Sequence, residues 1–292
     1  MAELYFRSGN GRCAATLYLP ARRAPGQRLG CVVLCNGFSL TRRDGLPRFA
    51  EHFATAGLAA LTFDFRHLGD SSGEPRQLVD YRRQQADLAA AIAFARDLDM
   101  VDGRRVAVWG FSNGGGLVVR VAADDPRIAA AVALFPMVDG LAFAMASDPR
   151  NNARLLVNAV RDRFGRSTVR VPIVGAPGTV RVFTQPSARP GLDRALGAGS
   201  RWRNEVCAGP FLRASSFRPV RVAGKVRCPL LVCVADNDTL VPQRPILRAA
   251  ERAPRATLRH YPIDHLDALS AGADFDRVVR DQTDFLVATL EK

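Results

Sequence analysis

The pentapeptide Gly110-Phe111-Ser112-Asn113-Gly114 separates two segments of different character. Residues 105–109 (RVAVW) form a short apolar run typical of a buried strand, and helical spacing of apolar residues begins near Gly115. A strand-to-helix turn this sharp strains the backbone of its central residue and lifts that side chain above the sheet. The motif alone is common, and an ordinary Gly-Ser turn is the alternative. Its position between a strand and a helix predicts that Ser112 is a nucleophile.

Outward from this turn, strand-like runs alternate with segments of helical spacing. The predicted buried strands are residues 30–35, 59–65, 105–109, 129–135 and 230–234, and a last strand is predicted at residues 256–261. The predicted helices are residues 46–56, 81–98, 115–123, 245–253 and 275–290. This alternation indicates a mostly parallel sheet covered by helices on both faces. Residues 3–7 and 13–19 flank a Gly-Asn-Gly-Arg turn and predict an opening antiparallel hairpin.

The segment 137–225 interrupts this alternation. It separates two predicted strands by far more chain than a crossover helix requires, and it carries Trp202, Phe211 and Phe217. We therefore predict a core domain of residues 1–136 and 226–292, with residues 137–225 as a cap that shapes a substrate pocket. A helical hairpin that packs on the sheet edge is the alternative.

A nucleophilic serine needs a base that accepts its proton. The chain offers four histidines, His52, His67, His260 and His265. The first two precede Ser112, against the order serine, acid, histidine that accompanies this type of turn. His260 lies inside a predicted strand, whereas His265 follows that strand in a loop that could reach over the sheet. We therefore expect His265 to be the general base.

The base in turn needs an acid that orients it. Asp236 and Asp238 both follow the predicted strand 230–234, and one of them is expected to cap or turn the loop. We favour Asp238, because the end of the strand should point the later residue toward the histidine. Asp139 is a weaker alternative for the acid, because the glycine that follows it favours a role in a turn.

An acyl-transfer site also needs amide donors for the oxyanion. The Asn113 amide lies at a helix N-terminus, where it has no intrahelical partner. The second donor is expected from Asn36-Gly37-Phe38, where the glycine lets the Phe38 amide approach.

Together these motifs resemble the α/β-hydrolase superfamily. Residues 36–38 resemble its His-Gly-x oxyanion loop, with Asn36 in place of histidine, and residues 64–73 resemble its Asp-x-Arg-Gly-x-Gly-x-Ser loop, with His67 where glycine is common. The resemblance covers almost the whole chain outside the segment 137–225. It implies an α/β-hydrolase fold with a mostly parallel eight-stranded sheet flanked by helices and a cap insertion.

The same resemblance implies a serine hydrolase that cleaves a carboxylic ester, thioester or lactone through an acyl-enzyme on Ser112. Esterase-like bacterial hydrolases and, more weakly, polyketide acyl transferases share the pattern, so an acyl transferase or cyclase is the first alternative. A ligand-binding protein without catalysis is the alternative from another class. We expect a small-molecule acyl substrate, free or bound to a carrier, and neither a cofactor nor a metal.

Composition limits the remaining classes. With 48% hydrophobic and 24% charged residues, the chain has the balance of a globular protein. Its formal net charge of +13 comes almost entirely from scattered arginines without interleaved aromatic residues, so we do not expect nucleic-acid binding. The six cysteines lack metal-ligand spacing and are expected to be inert. No stretch predicts a signal peptide or a membrane span, which indicates a cytoplasmic protein; a homodimer is left open.

Overall fold

The computed structural model describes residues 1–197 and 199–291. These residues contain ten strands: β1 (Ala2–Ser8), β2 (Gly11–Tyr18), β3 (Leu29–Cys35), β4 (Ala59–Phe63), β5 (Val101–Phe111), β6 (Ala130–Leu134), β7 (Arg170–Val171), β8 (Val206–Cys207), β9 (Leu230–Ala235) and β10 (Ala256–Tyr261). Nine α-helices accompany them in the described residues: α1 (Leu46–Thr55), α2 (Tyr81–Arg96), α3 (Asn113–Asp124), α4 (Gly140–Ala146), α5 (Pro149–Phe164), α6 (Ala188–Ala195), α7 (Phe211–Ala214), α8 (Gln243–Arg252) and α9 (Ala273–Leu290).

Eight of the strands form one sheet in the order β1-β2-β4-β3-β5-β6-β9-β10. The pairs β1-β2 and β2-β4 are antiparallel, and all other neighbours in this sheet are parallel. The prediction of a mostly parallel eight-stranded sheet with an antiparallel opening hairpin is confirmed. Because the carboxyl ends of parallel strands share one edge, the loops after β3, β5, β9 and β10 come together there.

The apolar strands lie in the centre of the sheet because helices cover both of its faces. Every residue of β3, β4, β6 and β9 is buried. Trp109 in β5 is fully buried against Phe49 of α1, and its indole Nε1 donates to Gln282 of α9 at 2.7 Å. The indole proton therefore has a partner inside the core, as a buried tryptophan requires.

Most element boundaries fall within two residues of the sequence prediction, and two of the differences concern the elements on either side of Ser112. Strand β5 begins at Val101 rather than at residue 105, because the polar residues before the apolar run still extend the strand. Helix α3 begins at Asn113, directly after Ser112, rather than near residue 115. The turn at Ser112 is therefore even shorter than the apolar pattern indicates.

Residues 137–225 connect the neighbouring strands β6 and β9 and contain α4 to α7. They also contain a small antiparallel sheet, in which β7 pairs with β8. Two short 3-10 turns, Pro219–Arg221 and Ala223–Lys225, end the segment and pack against α3 and α8. Its last residues therefore contact the central helices. No helix in the described part of the chain combines the length and apolarity that a membrane span needs.

Candidate active site

Ser112 occupies the turn between β5 and α3 with φ 52° and ψ −114°. A non-glycine residue rarely adopts a positive φ, and such strain persists only where the surroundings enforce it. Here the Ser112 amide donates to the Leu134 carbonyl at 2.8 Å, and the Ser112 carbonyl accepts from the amides of Gly116 and Met137. These bonds fix the backbone of Ser112 while its side chain remains free to react.

The glycines around Ser112 allow three backbone segments to meet. A Cβ atom on Gly110 would lie 2.3 Å from the Gly114 carbonyl oxygen, and one on Gly114 would lie 2.6 Å from the Asn36 carbonyl oxygen. Real Cβ atoms do not approach oxygen this closely, so larger residues would push the strand, the helix and the loop after β3 apart.

The structure brings Ser112, His265 and Asp238 into one hydrogen-bond chain. His265 Nε2 lies 2.8 Å from Ser112 Oγ, and His265 Nδ1 lies 2.7 Å from Asp238 Oδ2. The His265 and Asp238 side chains are 3% and 0% exposed. A carboxylate only accepts, so Nδ1 donates to Asp238 and Nε2 is left to accept the serine proton.

Loop geometry fixes the Asp238 carboxylate. Its Oδ1 accepts from the amides of Leu240 and Val241 at 2.8 Å each, which leaves Oδ2 for His265. The adjacent Asp264 accepts from the His265 amide at 2.7 Å and from the Thr239 amide at 3.1 Å. The acid and histidine loops are therefore joined to each other before any substrate binds.

The other candidates from the sequence have different partners. Asp236 pairs with Nδ1 of His260 at 2.7 Å, and both side chains are largely exposed. Asp139 caps helix α4 and accepts from Arg218 at 2.8 Å. The His52 ring lies against Phe275. None of these four reaches Ser112.

The loop after β3 and the start of α3 each place one free amide at the same cavity. Asn36 Oδ1 accepts from the Gly37 amide at 2.8 Å, whereas the amides of Phe38 and Asn113 have no acceptor among the described residues. Gly37 packs against Phe111 and Ser112, where a Cβ would lie 2.9 Å from the Phe111 ring. The predicted oxyanion donors, Phe38 and Asn113, thus both border Ser112.

A cavity of about 240 Å³ opens above Ser112 and His265. Besides these two, it is lined by Phe38, Tyr81, Asn113, Met137, Gly140, Phe143, Ala144, Asn152, Leu155, Leu156, Val182, Phe183, Phe211, Ala214, Ser215 and Val241. Most lining residues come from the segment 137–225, and among those described none is Asp or Glu. The cavity therefore suits an uncharged, largely apolar group.

Comparison with known families supports the fold. Residues 26–265 match the family model described as serine aminopeptidase, S33. The chain belongs to this S33 family of α/β hydrolases. The resemblance inferred from the sequence motifs is thereby confirmed.

Several proteins resemble this S33 member along nearly their whole length. The quorum-quenching protein AidA of Acinetobacter baumannii is 38% identical over 288 residues, which cover 97% of this chain and 93% of AidA. The polyketide transferase grgF of Penicillium sp. is 26% identical, with 89% of this chain and 88% of that protein covered. The crystal structure of the α/β hydrolase GrgF superposes with a TM-score of 0.86 at 24% identity, covering 100% and 99% of the two chains.

Asn36 departs from the hydrolase pattern, and the structure gives it a clear role. Its Nδ2 donates to the carbonyls of Thr41 and Asp44 at 2.7 Å each, while its Oδ1 holds the Gly37 amide. The side chain is buried and ties the oxyanion loop to the chain that follows. An amide can replace histidine here because it both donates and accepts.

His67 is the second departure from the α/β-hydrolase pattern. It has φ 74°, in the region where glycine is common, and its ring is buried. Nδ1 lies 3.0 Å from the Pro75 carbonyl oxygen, and Nε2 lies 3.3 Å from Arg83 Nη1. Burial lowers the pKa of His67, so the neutral ring can donate to Pro75 and accept from Arg83. His67 thus holds its loop and lies outside the cavity.

Sequence reasoning missed part of the cavity wall. Of the aromatic residues singled out in the segment 137–225, only Phe211 lines the cavity; Phe217 stacks on the ring of Tyr81, and Trp202 donates to Ser39 Oγ at 3.1 Å. Phe183 lies in a Pro- and Gly-rich stretch with no regular period. Nothing in its local pattern could have shown that it packs edge-on against Phe38.

Proposed function

We propose that this protein is a serine hydrolase that cleaves a carboxylic ester, thioester or lactone through an acyl-enzyme on Ser112. The observation that carries the proposal is the unbroken chain from Ser112 Oγ through His265 to Asp238, with contacts of 2.8 and 2.7 Å. It begins at a serine held at φ 52°, a strained conformation that costs stability and is concentrated at the active sites of proteins.

In this reaction Ser112 Oγ attacks the substrate carbonyl carbon while His265 Nε2 takes the hydroxyl proton. The amides of Phe38 and Asn113 stabilise the oxyanion of the tetrahedral intermediate. His265 then gives the proton to the departing alcohol or thiol, which leaves an acyl group on Ser112. A water molecule, deprotonated by His265, attacks the acyl-enzyme, and the acid is released with Ser112 restored. Asp238 stabilises the imidazolium in both steps.

The cavity lining favours an apolar acyl substrate over a peptide with a free N-terminus. A protonated amino group would need a carboxylate partner once it is removed from water, and no Asp or Glu lines the described part of the cavity. Aromatic edges from Phe38, Phe143 and Phe183 offer instead a surface for an acyl chain or a flat ring. We therefore propose ester-type substrates, although the family model is described as an aminopeptidase.

Acyl transfer or cyclisation is the second candidate. The two reactions share the acyl-enzyme and differ only in whether water or another nucleophile releases it. A largely apolar cavity favours an organic acceptor over water, and a relative that matches 89% of this chain is named a polyketide transferase. Product analysis with and without an added alcohol or amine separates the two: transfer predicts an ester or amide product at the expense of the free acid.

We also propose that residues 137–225 act as the cap, because they supply most of the cavity wall. A cytoplasmic location fits the six cysteines, which are all unpaired. The carrier-bound substrate and the homodimer stay predictions. Since the relative AidA is named a quorum-quenching protein, quorum signals belong among the substrates to be tested.

The first experiment is labelling with a fluorophosphonate probe, followed by mapping of the adduct by mass spectrometry. We expect one adduct, on Ser112, and loss of both labelling and ester turnover in Ser112→Ala. Ser216→Ala, in an exposed turn, is the matched control and should label and turn over normally. Turnover of p-nitrophenyl esters of increasing chain length would then measure the longest acyl chain that the cavity accepts.

Folded protein that fails to label, or that shows no burst of product with an activated ester, would contradict the hydrolase proposal. That result would favour the ligand-binding alternative, because a binding protein forms no stoichiometric acyl-enzyme.

A further inference from the structure

Exposed apolar side chains are concentrated on helices α4 and α5. Six of the nine large hydrophobic residues exposed in the described chain lie there, namely Leu141, Met145, Leu156, Val157, Val160 and Phe164. Met145 and Phe164 are 79% and 75% exposed. Scattered exposed hydrophobic residues are normal, but a continuous group of them marks an interaction surface.

Helix α5 arranges its share of these residues in a stripe. Ala153, Val157, Val160 and Phe164 follow one another at intervals of four, three and four residues, which places them on one face of a helix. The opposite face carries the residues that α5 buries, including Leu155 and Ala159. The stripe therefore faces away from the protein; the guanidinium of the adjacent Arg163 lies over the Phe164 ring, 5.4 Å from its centroid, and leaves that side chain 75% exposed.

Arginines flank this stripe. Arg150, Arg161 and Arg163 are exposed and form no ion pair with a described residue. The single acidic residue of the helix, Asp162, is occupied, since it accepts from the amides of Val169 and Gly209 at 2.7 and 2.6 Å. The surface thus combines apolar side chains with uncompensated positive charge, which is the composition of helices that lie in a membrane interface.

The same two helices form part of the wall of the cavity. Phe143 and Ala144 of α4 and Asn152, Leu155 and Leu156 of α5 line it. Leu156 is 52% exposed and also borders the cavity, so apolar surface continues from the outer face toward Ser112. A partner that covers this face would meet the entrance through which an apolar substrate passes.

We propose that the outer face of α4 and α5 docks on a lipid bilayer that contains anionic lipids. The apolar stripe enters the headgroup boundary, the arginines pair with lipid phosphates, and apolar substrates pass from the bilayer into the cavity. A second copy of the chain fits less well, because its own arginines would meet those of the first. This docking proposal depends on the exposed residues of α4 and α5 alone, so it does not require a reaction at Ser112.

Vesicle flotation tests this proposal on the full chain. Wild-type protein should bind vesicles of phosphatidylcholine mixed with phosphatidylglycerol, bind pure phosphatidylcholine weakly, and lose binding as salt rises. The triple variant Val157→Ser, Val160→Ser, Phe164→Ser and the triple variant Arg150→Gln, Arg161→Gln, Arg163→Gln should each lose affinity by about tenfold or more. The altered side chains are all exposed and lie outside the cavity wall.

Controls separate this surface from others and from catalysis. Tyr5→Ser with Leu19→Ser removes exposed apolar residues elsewhere, and Arg104→Gln removes an arginine that is 92% exposed; both should bind as wild type. Ser112→Ala should also bind, so loss of the reaction and loss of docking are distinguishable. The variants that introduce serine on α5 or at Tyr5 and Leu19 keep Ser112, and they should hydrolyse a short soluble ester at the wild-type rate.

Failure of wild-type protein to bind anionic vesicles would overturn the proposal, and so would binding that the α5 variants leave intact. Concentration-dependent dimers that Phe164→Ser abolishes, without vesicle binding, would assign the face to a second copy instead. Retention on an acidic protein but not on anionic vesicles would assign it to a protein partner.

Discussion

Two carboxylates only two residues apart illustrate how position decides chemistry. The Asp238 side chain is buried, and two backbone amides and His265 satisfy its oxygens, whereas Asp236 pairs with His260 at the surface. Side-chain type cannot distinguish them, and the sequence offered only the geometry of the strand end as a guide. That guide favoured Asp238, which is the carboxylate that lies beside His265 in the structure.

If Asp238 orients and stabilises His265, Asp238→Asn should lower kcat by roughly 10³–10⁴-fold. An amide keeps the shape of the carboxylate but lacks its charge, so the imidazolium loses its stabilising partner. Asp236→Asn is the matched control and should change kcat by less than about twofold, because exposed pairs contribute little. Steady-state turnover of a p-nitrophenyl ester measures both. Equal losses in the two variants would contradict the assigned role.

At the scale of elements, the strands and helices of the core were predictable, because buried parallel strands are continuous apolar runs and the helices between them are amphipathic. The segment 137–225 was predicted as a cap insertion, but its small sheet was not predicted. Its small sheet joins Arg170–Val171 to Val206–Cys207, two-residue strands far apart in sequence. Strands this short have no period of their own, and only tertiary contacts determine their pairing.

The junction of β5 and α3 depends on glycine at residue 110. Gly110→Ala should lower the free energy of unfolding by about 1–3 kcal/mol or more, because its Cβ would lie 2.3 Å from a backbone oxygen that cannot rotate away. It should also slow fluorophosphonate labelling, since Ser112 would shift with the turn. Urea unfolding measures the first effect.

Gly224→Ala, in the 3-10 turn Ala223–Lys225, is the control for Gly110→Ala. Its nearest contact would be the Arg252 carbonyl oxygen at 3.4 Å, an ordinary van der Waals distance, so we expect a change below about 1 kcal/mol. A Gly110→Ala protein as stable and as reactive as wild type would show that the turn tolerates a wider approach of strand and helix.

At the scale of the whole molecule, every cysteine thiol lies in the interior. All six cysteines are buried, and none forms a disulfide. Burial raises the pKa of Cys31 and Cys233 to about 12 and that of Cys207 and Cys228 to about 11, and it raises the pKa of Cys13 and Cys35 as well. Thiolates, which are the reactive form, are therefore scarce at neutral pH.

The folded protein should consequently resist thiol reagents. We expect no modification by iodoacetamide at neutral pH within the time that labels a free peptide thiol, and six modified cysteines after denaturation in guanidinium chloride. Intact-mass spectrometry counts the adducts, and ester turnover of the treated protein should be unchanged. Rapid modification of any cysteine in the native state would show that its surroundings open more readily than the packing implies.

The strands β6 and β9 are direct neighbours, although the whole segment 137–225 lies between them in sequence. Because the two strands are parallel, any chain that joins them must leave β6 at one edge of the sheet and enter β9 at the opposite edge, whatever its length. Since the entropy cost of a loop grows only slowly with length, this connection can be lengthened, shortened or exchanged while the sheet below keeps its register. Changes confined to this one segment can thus alter substrate range and membrane docking between related proteins. Ser112, His265 and Asp238 lie outside the segment and keep their positions.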